Sequence, residues 1–387
     1  MTSDPTSLDT FASQKLHTLE QRKLRRSPRE CTALDAVRVM MDSRELINFC
    51  SNDYLGLAHH PQVKEAAARA ALDNGAGAGA SRLVTGGHAR LFALEKRLAA
   101  FKGTQDCVIF GSGYMANMAI TPALAGPDDI VFIDERAHAC LFSGAQLSRA
   151  TLDVLPHNDT DALADRLDRK RRAYRHALVL VDSVYSMDGD LAPLDVYARI
   201  SARHEAWLLV DDAHGLGVLG NGRGAAETFT PKPDIPLQMG TLSKALGSYG
   251  GYLCASHEVC ELMRSRARPL IYTTALPPAV IAAAEEALTL VETDPELCAR
   301  PLQLARLFAA ELGLDEPQSP IVPVILGDAE TALAASDKLR EDGYLVMAIR
   351  PPTVAEGTAR LRVTFSAAHS EESVKSLAAS LKHIIQD

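Results

Sequence analysis

Between Cys107 and Ala255 short apolar runs alternate with helical segments, and few folds accept such an alternation. The runs are Cys107 to Phe110, Ile130 to Ile133, Leu152 to Leu155, Ala177 to Val181, Trp207 to Val210 and Gly251 to Ala255. Helical patterns fill Leu91 to Phe101, Met115 to Leu124, Asp159 to Tyr174 and Leu194 to His204. This order predicts right-handed crossovers and an α/β fold, a mostly parallel sheet with helices on both faces. In such sheets ligands sit outside the carboxyl ends of the strands. Every chemically interesting loop of this chain falls at such an end.

The flanks read differently. The first 45 residues predict a helix from about Leu8 to Arg26 and a short connection ending near Ser27-Pro28. Ile47 to Gly56 is too polar and turn-rich for a core element. Pro61 to Asp73 is Ala-rich and helical. Gly75 to Gly87, with Ser81, Arg82 and Thr85, reads as a shaped loop, a flexible linker being the other reading. Pro277 to Thr293 predicts a long helix between domains. Beyond it, strands at Ile321 to Leu326, Tyr344 to Ile349 and Arg360 to Phe365, with helices at Glu330 to Glu341 and Glu371 to Ile385, predict a smaller α+β domain. A chain of 387 residues exceeds one typical domain. The expected division is a helical segment at 1–45, a large cofactor-binding domain at 46–285 and a small domain at 286–387.

Bulk properties exclude some roles. The net charge is −9, so no global basic field draws nucleic acid. Met1 to Arg29 lacks the apolar stretch of a secretory signal, and no run of 18 apolar residues predicts a membrane span. The seven cysteines are scattered without a CxxC pair, which argues against zinc and disulfides and fits a reducing cytoplasm.

The chemistry gathers at strand ends. Thr241-Leu242-Ser243-Lys244 follows the apolar run Pro236 to Met239, and Gly247, Gly250 and Gly251 follow it. Upstream, Val210-Asp211-Asp212-Ala213-His214-Gly215 closes the run from Trp207. A carboxylate leaving a buried strand, a His three residues on and a later Ser/Thr-flanked Lys suggest pyridoxal phosphate. That cofactor needs a Schiff-base lysine, an acid for its pyridinium nitrogen and donors for its phosphate. Gly111-Ser112-Gly113-Tyr114 opens a helix after a strand, where backbone N–H groups bind phosphate; alone it is an ordinary strand–helix turn. His138 offers a flat ring for stacking, although a loop His is usually exposed. Ser186, in Asp182 to Asp190, can hydrogen-bond a phenolate oxygen. Arg350-Pro351-Pro352-Thr353 ends a strand, and its Arg suits a substrate carboxylate or plain solvent. Thr273 and Thr274 cap the following helix or reach a phosphate. A lone Lys in a Gly/Ser loop is ordinarily solvated; order and spacing of all the elements carry the case.

Together Ser51 to Leu57, Ser186-Met187-Asp188-Gly189-Asp190, Val210 to Gly215 and Thr241 to Lys244 resemble the α-oxoamine synthases, fold-type I pyridoxal-phosphate-dependent acyltransferases. The likeness runs from about residue 8 to the C-terminus. Ile349 to Val354, with Gly357 to Arg362, resembles the members that join L-alanine to a pimeloyl thioester, giving 8-amino-7-oxononanoate in biotin biosynthesis. The sister activities use glycine or serine. The resemblance implies Lys244 as the Schiff-base lysine, Asp211 on the pyridinium, His214 and Ser186 on O3′ and His138 on the ring. It implies the backbone of Gly113 and Tyr114, with Thr241, on the phosphate, and Thr273 and Thr274 from the partner of a homodimer. It implies Asn52, Arg350 and Thr353 on the amino-acid side and Arg25 or Arg26 on an acyl substrate carried by coenzyme A or a carrier protein. No metal, nucleic acid or membrane is expected. Ser183 and Tyr185 stand where Gly and Phe are usual, Tyr114 replaces a common Phe, and Ala355 breaks a frequent Val-Pro. Tyr185 and Tyr114 are expected to shape the pocket wall.

Overall fold

Helix α1 (Leu8–Gln21) begins at Ser7, whose Oγ accepts from the Thr10 amide at 3.1 Å. It stops at Gln21, short of the expected Arg26. The computed structural model describes residues 7–22, 24–25 and 27–386. Lys23, and Arg26 with its expected contact to an acyl substrate, therefore lie outside the described residues.

Beyond the connection ending near Ser27-Pro28, in a stretch where no strand was expected, lie β1 (Cys31–Ala33), β2 (Arg38–Met41) and β3 (Arg44–Asn48). Asp42 and Ser43, at φ +50° and +59°, make the β2–β3 turn. Two successive left-handed residues give the twist a tight hairpin needs. The polar segment after β3 also departs from expectation, because Phe49, Tyr54 and Leu55 are buried. Its polar side chains are consumed locally. Ser51 Oγ accepts from the Asp53 amide at 3.0 Å, and the Asp53 carboxylate caps Leu57 and Ala58 at 2.9 and 3.1 Å. With those groups satisfied, the apolar ones turn inward.

Helices α2 (Pro61–Asn74) and α3 (Ala89–Lys102) precede the main sheet. Then come β4 (Asp106–Phe110), α4 (Gly113–Leu124), β5 (Ile130–Asp134), α5 (Ala139–Ser148), β6 (Thr151–Leu155), α6 (Thr160–Lys170), β7 (Ala177–Asp182), α7 (Leu194–Arg203), β8 (Trp207–Asp211), β9 (Leu237–Thr241) and β10 (Gly251–Ala255). Among the described residues they form a seven-stranded sheet in the order β4-β10-β9-β8-β7-β5-β6. The neighbours β6, β5, β7, β8 and β9 run parallel, while β10 is antiparallel to both β4 and β9. Successive residues face opposite layers: Cys107 and Ile109 join one core, Val108 and Phe110 the other. Strand β7 is buried along its whole length. Full burial of each of its large aliphatic side chains stabilises by about 1.5–3 kcal/mol.

Helices α8 (His257–Arg266), α9 (Arg268–Ile271), α10 (Pro278–Thr293) and α11 (Pro295–Leu312) follow, and α10 packs against α2. The remainder is β11 (Ile321–Gly327), α12 (Ala329–Glu341), β12 (Tyr344–Leu345), β13 (Met347–Ile349), β14 (Ala359–Thr364) and α13 (Glu371–Gln386). The single strand expected at Tyr344 to Ile349 is divided. Its first part, β12, runs parallel to β3, and its second, β13, pairs antiparallel with β14. The chain's two ends thus share one small sheet, β1-β2-β3-β12. No helix among the described residues is long and apolar enough to cross a membrane.

Candidate active site

The carboxyl ends of β4, β5, β7, β8 and β9 open onto one cavity of about 270 Å³. Its lining includes Gly113, Tyr114, His138, Asp182, Asp211, His214, Thr241 and Lys244. Seven of these eight were expected at the site; Asp182 was not.

Lys244 leaves β9 through a tight turn. Ser243 Oγ donates to the Gly250 carbonyl at 3.2 Å and accepts from the Gly250 amide at 3.0 Å. Gly247 stands at φ +57°, and a Cβ there would meet Ala58 N at 2.2 Å, so this turn requires glycine. Lys244 Nζ lies 2.7 Å from His214 Nε2. Burial lowers its pKa to about 8; Arg362 pushes the same way, against Asp211 and Asp182.

His214 joins a longer chain. Its Nδ1 is 2.6 Å from the Tyr54 hydroxyl, and that hydroxyl donates to Asn52 Oδ1 at 3.2 Å. Arg362 Nη2 donates to the same oxygen at 3.2 Å. Since Tyr54 spends its proton on Asn52, its oxygen accepts from His214 Nδ1–H, and His214 Nε2 accepts from Lys244. Burial, with the charges of Lys244 and Arg362, holds His214 well below its usual pKa and so neutral.

Asp211 ends β8. Its Oδ2 accepts from Asn117 at 2.6 Å and its Oδ1 from the Ala213 amide at 3.0 Å. Asp182 ends β7 alongside it, with Oδ2 accepting from the His138 amide at 3.1 Å and a buried Oδ1 lacking a partner. Burial, then the neighbouring Asp211 charge, pushes the Asp182 carboxyl well up. His138 caps α5 and its Nδ1 accepts from the Cys140 amide at 3.3 Å. Burial lowers its pKa, and the charge of Lys244 adds to the effect against Asp211. The ring is therefore neutral with its proton on Nε2.

These features fit pyridoxal phosphate. Two adjacent buried carboxyl groups, one with an orphaned oxygen, suit a cationic ring nitrogen. Helix α4 starts at the cavity wall, with Ser112 as its cap, and its first amides and dipole suit a phosphate. A Cβ on Gly113 would come within 3.2 Å of Met239 and 3.4 Å of Thr241. Lys244 lines the same cavity as the acids.

Other expected residues lie apart. Thr241 lines the cavity, but its hydroxyl donates to Gly250 at 2.8 Å and accepts from the Ser243 amide, so it shapes the turn. Ser186 is half-buried outside the cavity lining, and its carbonyl accepts from Arg362 Nε. Thr273 and Thr274 line a separate cavity of about 20 Å³ with Arg82 and Gly111. Arg350 is half-buried and Thr353 exposed in the turn after β13, neither in the lining. Arg25 is exposed and pairs with Glu20 at 3.2 Å. Tyr185, expected in the pocket wall, is instead buried edge-on against His157 at 4.4 Å; Tyr114 does line the cavity. The sequence reading missed Tyr54, Asn117, Asp182 and Arg362 as site residues. For Arg362 the available signal was its alternation with Arg360 around Leu361 in the strand Ala359–Thr364.

Comparison with known proteins agrees with this geometry. The model of the family described as aminotransferase class I and II matches residues 44–381. An 8-amino-7-oxononanoate synthase of Maricaulis maris is 60% identical over 386 residues, covering 100% of this chain and 98% of the relative. That of Beijerinckia indica is 55% identical over 372 residues, 96% of each. The solved serine palmitoyltransferase of Sphingomonas wittichii superposes with a TM-score of 0.90 at 31% identity, covering 98% of this chain and 97% of that one. The solved 8-amino-7-oxononanoate synthase of Francisella tularensis gives 0.75 at 30% identity over 88% and 98%.

Proposed function

We infer what this chain does from the family it belongs to, the class I and II aminotransferases, within their α-oxoamine synthase branch. It joins L-alanine to a pimeloyl thioester and yields 8-amino-7-oxononanoate, CO2 and free thiol, a step of biotin biosynthesis. The observation that carries this is full-length identity of 60% to a synthase of that name, in a chain whose Lys244, His214 and Asp211 meet at one cavity.

Pyridoxal phosphate, when bound, supplies an electron sink for negative charge at the amino acid's Cα. The chain's residues do the rest. Asp211, held by Asn117 and Ala213, offers its carboxylate to the ring nitrogen. Gly113 and Tyr114 at the start of α4 take the phosphate. Lys244, with a pKa near 8, carries an appreciable free-amine fraction at neutral pH and takes the Cα proton. His214, tied to Tyr54, aims the Lys244 amine. Both nitrogens of His214 are engaged, whereas His138 keeps its Nε2–H for a ligand. His138 is thus the better donor to the new ketone oxygen. Arg362, buried beside Asn52, takes the alanine carboxylate with it. Arg350 and Thr353 belong to the rim of the site, and Arg25 or Arg26 meets the acyl substrate. A carbon–carbon bond forms from Cα to the thioester carbonyl as the C–S bond breaks, the thiolate leaves with the proton that Lys244 removed, the alanine carboxylate departs as CO2, and a proton from solvent returns to Cα.

The working unit of this proposal is a homodimer. Thr273 and Thr274 lie outside their own chain's cavity lining, which supports their serving the partner's site. We propose a cofactor domain at 46–285 and a smaller domain at 286–387, after an N-terminal segment at 1–45. All seven cysteines are free, which supports a reducing cytoplasm.

The test supplies the cofactor-loaded protein with pimeloyl-CoA and L-alanine, glycine or L-serine in parallel, and measures thiol and CO2. Equal thiol and CO2 with alanine is the expected result. Turnover with glycine or serine alone would move the chain to a sister activity. Amino-group transfer without thiol release would make it an aminotransferase.

A further inference from the structure

Outside the cavity lining, His157 lies between two carboxylates. Its Nδ1 is 3.1 Å from Asp134 Oδ1 and its Nε2 is 2.7 Å from Asp190 Oδ2. An imidazole with an acceptor at each nitrogen donates from both, and only the cation can do so. Asp134 ends β5 and begins the loop that delivers His138; its Oδ1 also caps the Arg136 amide at 2.8 Å. Asp190 ends the loop after β7. Asn158, next to His157 at φ +53°, stitches the same two loops through its amide to Asp134 (2.7 Å) and its side chain to Asp190 (3.1 Å).

The loop so held carries the groups that position the substrate arginine. The Ser186 carbonyl accepts from Arg362 Nε, and the Asp188 carboxylate pairs with Arg360 and, at 3.4 Å, with Arg136. Ser319 donates to the Gly189 carbonyl at 2.7 Å, so the loop is also pinned to the approach to β11. A Cβ at Gly189 would meet the Ile321 carbonyl at 2.2 Å, so the loop backbone lies against the start of β11 with no room there for a side chain.

We propose that His157 is a positioning residue: by bridging Asp134 and Asp190 it fixes the His138 loop against the loop that aims Arg362. This rests on the reading of Arg362 as the alanine carboxylate's partner. His157 touches neither substrate nor cofactor and acts through Asp190, Ser186 and Arg362. Among the described residues, the cluster is also faced by Glu135, whose Oε1 accepts from the His157 amide at 3.3 Å, by Tyr185 against the ring, by Tyr197 of α7 near Asp134, and by Asp182 at the end of β7, which feels the Asp134 charge. Burial disfavours the imidazolium, yet the bonds to Asp134 and Asp190 outweigh it and raise the His157 pKa to about 9. The bridge is therefore closed at neutral pH and opens in alkali.

The experiment compares the loaded parent enzyme with His157→Gln from pH 7 to 10, together with histidine-nitrogen NMR of the cofactor-free parent. A misplacement of about 1 Å costs about a hundredfold, so for the smaller shift expected of Arg362 a rise of about tenfold in the KM for alanine is expected below pH 8, with kcat changed far less. The variant-to-parent KM ratio, in which alanine's own ionisation cancels, should fall toward one above pH 9. A flat ratio, or equal losses in kcat and KM, would overturn the proposal. So would an NMR signal of His157 neutral at pH 7.5, a readout that holds even if the variant fails to fold. If the parent itself ignores alanine, the functional reading fails while the NMR still decides the bridge.

Discussion

Lys244 and Arg362 are the two ends of one hydrogen-bonded chain, running through His214, Tyr54 and Asn52. Each bond has one direction, because Asn52 Oδ1 can only accept. The amine that moves the proton and the guanidinium that holds the carboxylate are therefore placed by the same set of side chains.

Tyr54→Phe should break this chain at its middle. His214 Nδ1–H then loses its acceptor in a buried setting, which costs about 1–3 kcal/mol of stability. With the His214 tautomer no longer fixed, kcat should drop about tenfold, or roughly 1.4 kcal/mol in barrier. Denaturant melts and steady-state rates check both; an unaltered kcat would detach Tyr54 from Lys244.

Arg362→Gln and Arg350→Gln separate the two arginines. Neither lines the cavity, but Arg362 is buried and bonded to Asn52 and Ser186, and through Asn52 it is joined to Lys244, whereas Arg350 is half-buried in the turn after β13. Losing a buried charged contact to substrate costs about 2–5 kcal/mol, so the alanine KM should rise about a hundredfold in the first variant. The second should change it far less. The reverse ranking would return the carboxylate to Arg350.

Lys244 should react as a base with a pKa near 8 in the cofactor-free protein. Its free-amine fraction grows about tenfold per pH unit below that value and levels off above it. The rate of pyridoxal phosphate uptake, followed by absorbance between pH 6 and 10, should trace that curve, once the cofactor's own ionisation is subtracted. A midpoint near the usual lysine value would show that burial does not tune the amine.

Lys102→Met tests the support behind Asp211. Lys102 and Asp212 form a buried pair at 2.8 Å, and Asp212 also takes Ser183 Oγ at 2.7 Å and the Ala225 amide at 3.1 Å. Removing one partner leaves a buried charge unpaired, at about 3–5 kcal/mol. Thermal or denaturant unfolding should show that loss.

The His157 bridge also has a stability signature. Its folded pKa, near 9, exceeds the unfolded value of about 6.5. A raised base contributes stability that is full below the unfolded value and disappears as pH rises through the folded one. Between pH 6.5 and 9 the parent should lose about 1 kcal/mol more than His157→Gln, the figure allowing for solvent screening. Parallel melts across that range provide the comparison.

Most strands from Cys107 to Ala255 were legible because a strand buried on both faces, whichever way it runs, carries a nearly unbroken apolar run. The three N-terminal strands were not. β1 is exposed throughout and β3 has only Leu46 fully buried. Such short, half-exposed strands leave little hydrophobic pattern. The α5 helix, apolar and without a strong polar face, likewise blended into its surroundings.

By itself the sequence determined the α/β class, the strand ends that carry Lys244, Asp211, His214 and His138, and the cofactor they suit. These are local properties: an apolar run ends, and a reactive side chain follows it. Only the tertiary structure decided that Arg362 meets Asn52, 310 positions apart, or that His157 bridges Asp134 and Asp190. It also decided that β3 pairs with β12 from the other end of the chain. In each case the partner is chosen by where two separately formed elements pack, and a polar residue's neighbours across that packing leave no periodicity in the chain to read.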